Sequence, residues 1–139
     1  MGHQQLLLVT LSVVLVGGLT IVGLASFESS QIQQDREEAI LEAIAVTSEV
    51  QRWKMIPAHS GGGLEYTGFY GINFNDIGYE FSPLSPNTFQ TGSACLRLTA
   101  SRPDYDAQLD VRVGGCGGEK VLSVIIAGTA PDDVKWQFN

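Results

Sequence analysis

The first 27 residues contain no Asp, Glu, Lys or Arg, and no proline occurs before Pro57. A stretch without charge is excluded from the surface of a water-soluble helix, because it would be apolar on every face and needs lipid or other apolar chains around it. The run Leu6–Phe27, LLLVTLSVVLVGGLTIVGLASF, is long enough to cross a hydrocarbon core of roughly 30 Å as a helix. Basic residues are scarce: 8 against 15 acids, for a net charge of −7. The deficit falls on both parts, six acids and three bases over 28–56 and nine acids and five bases over 57–139. No run of Lys and Arg offers a phosphate-binding surface, so no nucleic-acid partner is expected. Only two histidines, His3 and His59, and two cysteines, Cys95 and Cys116, are present. That is too few ligands for a zinc site.

Catalytic patterns are missing as well. No G-x-S-x-G occurs, and His59-Ser60 lies just past Pro57 in an expected loop, so no nucleophile–base–carboxylate set can be framed. Gly114-Gly-Cys-Gly-Gly118 has the glycine count of a phosphate loop but lacks the Lys-Ser/Thr ending. Asn73, Asn75 and Asp76, or Asp104, Asp106 and Asp110, could supply oxygens to calcium, but neither set fits a spaced loop with a terminal Glu. Turns and surface charge are the plainer reading. No enzyme activity, cofactor or metal is expected. The Asn-x-Ser/Thr acceptor pattern is absent from the C-terminal part.

The region from Glu28 to Ile56 is amphipathic. Ala39, Ala43, Val46, Val50 and Trp53 recur at spacings of 4, 3, 4 and 3, with Ile40 and Ile44 widening the stripe. With no Pro or Gly between Phe27 and Pro57, one helix of about 50 residues, roughly 75–80 Å long, is possible. Ser29-Ser30 marks the place where a second helix could start instead. Pro57 ends the helix, since it pushes the residue before it out of the α region. Gly61-Gly62-Gly63 then reads as a flexible link.

Beyond residue 58 the pattern is β. Four segments are expected strands: Ala94–Ala100, Ala107–Val113, Val121–Ala127 and Val134–Phe138. Tyr66–Phe74 reads as an early strand, and Pro83, Pro86 and Asn87 as a long surface loop. A hairpin register in which paired numbers sum to 211 sets Leu98 opposite Val113, Ala100 opposite Val111, Thr99 opposite Arg112 and Cys95 opposite Cys116. It collects Leu96, Leu98, Ala100, Val111 and Val113 on one face, to pack on the amphipathic helix, and brings the two sulfurs together. A Cys95–Cys116 disulfide is therefore expected, and with it an oxidising compartment. Trp136 and Phe138 share a face with Val134 and read as core. The aromatic stretch Tyr66, Phe69, Tyr70, Phe74, Tyr79 and Phe81 reads as core as well. The fold class is α+β: an apolar helix 1–27, an amphipathic neck 28–57 and a β-rich head 58–139.

An apolar N-terminal helix, an amphipathic continuation and a β head with one cysteine pair resemble type IV pilins and pseudopilins. The resemblance covers the whole architecture. Pilins carry Glu at the fifth mature position, where it pairs with a neighbour's N-terminal amine. This chain has Gln5 if Met1 is the mature start, and Leu6 there if Met1 is removed. Gln5 can accept a hydrogen bond but cannot neutralise an amine. No basic leader ending in Gly precedes Met1: either it has been removed or that processing is not used.

The resemblance implies a structural, non-enzymatic subunit of an extracellular cell-surface filament, a helical polymer of identical chains. The subunit would sit in the inner membrane before the pilus assembly machinery extracts it. Gln5, Leu6, Leu7, Leu8, Val13, Val14, Leu15, Val16, Gly17, Gly18, Leu19, Ile21, Val22 and Leu24 would form the filament core. Ala39, Ala43, Val46, Val50 and Trp53 would pack on Leu98, Val111 and Val113. Gly17 to Thr20 would unwind in the filament. Two other readings compete. A monomeric single-pass envelope protein would use the same helix as an anchor for an interaction head. A cleaved signal peptide would end near Gly23-Leu24-Ala25-Ser26, although it needs a basic start and a shorter apolar core.

Overall fold

The computed structural model describes residues 2–79, 85–101 and 104–139. The chain divides into two compact units, residues 1–34 and 35–139. The first boundary thus falls inside the expected neck, and the rest of the neck belongs to the same unit as the head. A single helix, α1, runs Gly2–Met55. With no proline in this stretch, every interior amide can donate to the turn before it.

Within the run Leu6–Phe27 the helix also satisfies its own hydroxyls. Thr10 Oγ1 donates to the Leu7 carbonyl at 3.0 Å, Ser12 Oγ to Leu8 at 2.8 Å, Thr20 Oγ1 to Val16 at 2.7 Å and Ser26 Oγ to Val22 at 3.0 Å. Such back-bonding leaves no hydroxyl proton unpaired in an apolar medium. Gly17, Gly18 and Thr20 are helical here. The unwinding expected of a filament is therefore not a property of the single chain.

The second unit packs the rest of α1 on a five-stranded antiparallel sheet, which makes the fold α+β. The strands are β1 (Thr88–Gln90), β2 (Ala94–Ser101), β3 (Asp106–Val113), β4 (Glu119–Ile126) and β5 (Val134–Phe138), in the order β1-β2-β3-β4-β5. Each strand neighbours the next in sequence, so short connections suffice. Ala39, Ala43, Val46, Val50 and Trp53 are buried in one cluster with Leu96, Leu98, Leu109, Val111, Leu122, Val124 and Ile126. Thr47, the buried polar residue of this face, donates to the Ala43 carbonyl at 2.7 Å. Ile40 is half-buried at the edge of the stripe and Ile44 is exposed.

The β2–β3 register differs from the expected one. Leu98 pairs with Leu109, Leu96 with Val111, Ala94 with Val113 and Cys95 with Arg112. Paired numbers sum to 207, a slip of four. Ser101 and Asp106 are the last pair of the ladder, and Tyr105, just before it, is left-handed at φ 55°. The expected register would have left several more residues outside the ladder, with their amides unpaired. Because four is even, every side chain keeps its face, and Leu96, Leu98 and Val111 are buried as expected, with Val113 half-buried. In the β3–β4 pair, Val111 meets Leu122 while Arg112 meets Lys120, which leaves Val121 as the extra residue of a bulge.

Tyr66–Phe74 is not a strand. Gly68 and Gly71 are left-handed, at φ 56° and 78°, and fold the segment into turns. A Cβ on Gly68 would stand 2.6 Å from the Asp104 carbonyl oxygen, and the Phe69 amide donates to the Tyr105 carbonyl at 2.8 Å. The first strand is Thr88–Gln90 instead, three residues beside the expected loop and too short to show an alternating pattern. Phe69 and Phe74 are buried, and Phe74, Tyr79 and Phe89 pack ring to ring at 5.0–6.1 Å. Tyr66 and Tyr70 are exposed, and Phe81 and Pro83 lie outside the described residues.

Trp136 and Phe138 are not core. Their partners Val124 and Leu122 are fully buried, yet Trp136 is 38% and Phe138 66% exposed. β5 is the last strand of the sheet, with a neighbour on one side alone, and only its first residue, Val134, packs against the core. Gly61-Gly62-Gly63 is not a loose link either. The Gly63 amide donates to the Trp53 carbonyl at 2.9 Å and the Gly62 amide to Pro57 at 3.1 Å. A Cβ on Gly62 would collide with Ile56 and one on Gly63 with the Trp53 ring. Close approach, rather than flexibility, calls for glycine at these two positions.

Candidate assembly segment and head surfaces

The residues expected to build a filament core all lie in the first unit and all are exposed. From Leu6 to Phe27, fourteen large apolar side chains are 51–73% exposed. Burying each is worth about 1.5–3 kcal/mol, on the order of 20–40 kcal/mol between them. That exceeds the net stability of a typical domain, about 5–15 kcal/mol, so water is not the medium of this segment. Gln5, Gly17 and Gly18 lie exposed on the same helix, and a Cβ at either glycine would meet no other atom within 4 Å. The helix is long and apolar enough to span a membrane, and it lies near the N-terminus.

The residues expected to join neck and head sit together in the second unit. Ala39, Ala43, Val46 and Val50 are fully buried, Trp53 is nearly so, and all five share one cluster with Leu98 and Val111, with Val113 at its margin. Polar ties reinforce the junction. Gln51 Nε2 donates to the Gly128 and Ala130 carbonyls, both at 3.1 Å, and Ser93 Oγ donates to Glu38 Oε2 at 3.2 Å. At the end of the helix, Lys54 Nζ donates to the Gly63 and Tyr66 carbonyls. Partial burial there lowers the Lys54 pKa from its ordinary value.

Cys95 and Cys116 are joined by a disulfide, with Cα atoms 4.9 Å apart. The expected register placed them opposite each other. Instead Cys95 faces Arg112, and Cys116 returns to it from the turn after β3, where Gly114 and Gly115 are left-handed at φ 79° and 89°. On this outer face Asp110 is the hub. It accepts from Lys120 Nζ at 2.8 Å, Ser123 Oγ at 2.6 Å and Gln108 Nε2 at 3.1 Å. Partial burial pushes the carboxyl up, but the bonds from Lys120, Ser123 and Gln108, with the Lys120 charge, outweigh it and hold the pKa below its ordinary value.

Among the described residues of the second unit, two hollows are lined as follows. One, of about 230 Å³, is lined by Thr88, Arg97, Arg112 and the disulfide. The other, of about 360 Å³, lies where α1 ends and was not anticipated from the sequence. Its lining includes Trp53, Gly61, Tyr66, Tyr70, Asn73 and Asp76. These residues come from irregular turns, whose order carries no periodic signal. The two acidic sets weighed for calcium have other partners: Asn73 and Asp76 bond to each other's backbone, and Asp110 is tied to Lys120. Among the described residues no three His, Cys, Asp or Glu side chains are grouped to hold a metal ion. His59 lies exposed in a 3₁₀ turn, Ala58–Ser60.

A long N-terminal apolar helix, a small antiparallel sheet and one disulfide together make a pilin-like architecture. No family model, no curated protein and no solved structure matches the chain.

Proposed function

We propose that this chain is the structural subunit of an extracellular, type IV pilus-like filament held together by its N-terminal apolar helices. The observation that carries the reading is the uncovered segment Leu6–Phe27, joined in one helix to the stripe that packs on the sheet. Before assembly the segment rests in the inner membrane, where lipid is as apolar as another helix and little drives association. Once extracted, it gains about 25 cal/mol for each Å² of apolar surface that its neighbours cover. The disulfide suits an oxidising exterior. The acidic heads keep filaments soluble and apart. Gln5 leaves a neighbour's amine uncompensated, so subunit docking relies on apolar contact more than on a buried ion pair. The subunit has no catalytic task; attachment or motility would rest on the head loops.

Electron microscopy of material sheared from cells, with mass spectrometry of the sheared chain, tests this. Micrometre fibres containing a chain that begins at Met1 or Gly2 are expected. Short fibres that form only with a secretion machine would indicate a pseudopilin. Intact chain confined to the membrane fraction, monomeric in detergent and without fibres, would replace the proposal with an anchored envelope protein. A chain that starts near Ser26 would make the opening segment a signal peptide.

A further inference from the structure

The cleft at the end of α1 has the chemistry of a carbohydrate site. Sugars are bound by flat aromatic faces, which cover their C–H surfaces, and by planar amides and carboxylates that meet their hydroxyls. Both elements are here. Tyr66 and Tyr70 are 50% and 58% exposed at the rim of a hollow of about 360 Å³. That volume is at the small end of ligand pockets, about 300–1,000 Å³. Tyr66 lies near-parallel to the Trp53 ring, at 6.2 Å and 8°, and both rings line the hollow. Trp53 is itself fixed, since its Nε1–H donates to the Gly61 carbonyl at 3.1 Å. Tyr70 is braced edge-on by Tyr105 at 5.0 Å.

The polar wall is also held in place. Asp76 Oδ2 accepts from the Asn73 amide at 3.0 Å, and Asn73 Oδ1 accepts from the Asn75 and Asp76 amides at 3.0 and 3.3 Å. Among the described residues no hydrogen bond is made by the Asn73 side-chain NH₂ or the second Asp76 oxygen, so the lining keeps one donor group and one acceptor for a ligand. Gly61 and Gly71 lie on the lining with nothing within 4 Å of where a Cβ would be, so the space beside their backbone is open. An ammonium group fits this cleft less well. A cage for such a cation turns several ring faces inward around a volume of one small ion, whereas here Tyr66 is paired with Trp53 and Tyr70 with Tyr105, and the hollow of about 360 Å³ has room for a sugar ring.

We propose that this cleft binds one or two rings of a neutral saccharide, stacked on Tyr66 and Tyr70 and bonded to Asn73 and Asp76. The site lies wholly within the second unit and does not depend on whether the chain forms filaments.

The test uses the full chain in micelles of a polyoxyethylene detergent, which has no sugar head group, and follows amide and indole N–H signals by NMR. The probes are glucose, galactose, N-acetylglucosamine and their β-linked disaccharides, with tetramethylammonium as the cation control. At least one saccharide is expected to shift Gly61, Gly71, Asn73 and the Trp53 indole with a Kd of about 0.1–10 mM. Tyr70→Ala is expected to weaken it about tenfold, while Tyr70→Phe, which keeps the ring, stays within about threefold. Asp76→Asn retains an acceptor and is expected to bind within a few-fold. No shift from any saccharide at about 20 mM, or binding indifferent to Tyr70→Ala in a variant whose other signals are unmoved, overturns the proposal. So does a site that takes tetramethylammonium in preference and loses it in Asp76→Asn.

Discussion

If the glycine turn after α1 is a packed structure, Trp53 and Gly63 must be energetically coupled. A methyl on Gly63 would enter the Trp53 ring, and no left-handed φ complicates the substitution there. Overpacking of this kind costs about 1–3 kcal/mol. The backbone has little room to retreat, since the Gly63 amide donates to the Trp53 carbonyl at 2.9 Å and its own carbonyl accepts from Lys54 at 2.9 Å. Trp53→Ala removes a side chain that is 4% exposed and leaves the Gly61 carbonyl without its indole donor. A loss of about 3–5 kcal/mol is expected. With the ring gone, the Gly63 methyl meets space instead of carbon. Gly63→Ala should therefore cost little in the Trp53→Ala background, and the double variant should fall short of additivity by about 1–3 kcal/mol. Amide hydrogen exchange of the slowest β2–β4 protons, in the full chain in micelles, reads the global stability without the confounding signal of the apolar helix. Additive losses would show that the turn yields independently of Trp53. No loss from Gly63→Ala alone would return it to the flexible link read from three glycines.

Replacing both Cys95 and Cys116 by Ser, which opens a cross-link of separation 21, is expected to lower stability by about 3 kcal/mol by the same exchange measurement. Asp110 has a lowered folded-state pKa, so its stabilisation is full above the ordinary aspartate range and is lost as the pH falls through the folded value. Asp110→Asn should cost about 1 kcal/mol at neutral pH and flatten the stability profile below the ordinary value of 3.8, as followed by acid titration of the exchange rates. Gly17→Ala with Gly18→Ala should strengthen the isolated helix by about 1 kcal/mol each. If a filament unwinds this stretch, fibre yield from cells should fall; an unchanged yield, with a continuous helix in the fibre map, would remove unwinding from assembly.

The apolar segment was legible because charge is the strongest negative signal a helix can carry. A stretch without Asp, Glu, Lys or Arg up to Phe27 needs no tertiary information to be assigned a medium other than water. The buried stripe of the neck was legible for a related reason, since Ala39, Ala43, Val46, Val50 and Trp53 obey the helical period and the helix buries that face. The aromatic cleft left no such trace. Tyr66, Tyr70, Asn73 and Asp76 converge through left-handed Gly68 and Gly71, and a turn has no period to announce which side chains it gathers. The aromatic enrichment of 66–81 was visible, but the same composition serves a core, as Phe69 and Phe74 show, or a surface, as Tyr66 and Tyr70 show.

The sheet separates two kinds of information that an alternating pattern carries. Alternation specifies which face a residue occupies, because successive side chains point to opposite sides. It says nothing about translation by two or by four. The register summing to 211 and the observed one summing to 207 therefore place Leu96, Leu98 and Val111 on the same apolar face, and Arg97 and Asp110 on the same polar one. What selects between them is the backbone. The observed pairing carries the ladder on to Ser101 and Asp106, so more backbone groups are paired than in the other register. The cysteines argued for the other register only on the assumption that bonded cysteines must be cross-strand partners. The left-handed glycines at 114 and 115 remove that assumption, since they turn the chain after β3 so that Cys116 meets Cys95 from outside the ladder. Trp136 marks where alternation fails in the opposite sense. Its face is the core face, but a face is buried only where something lies over it, and at the edge strand burial stops with Val134.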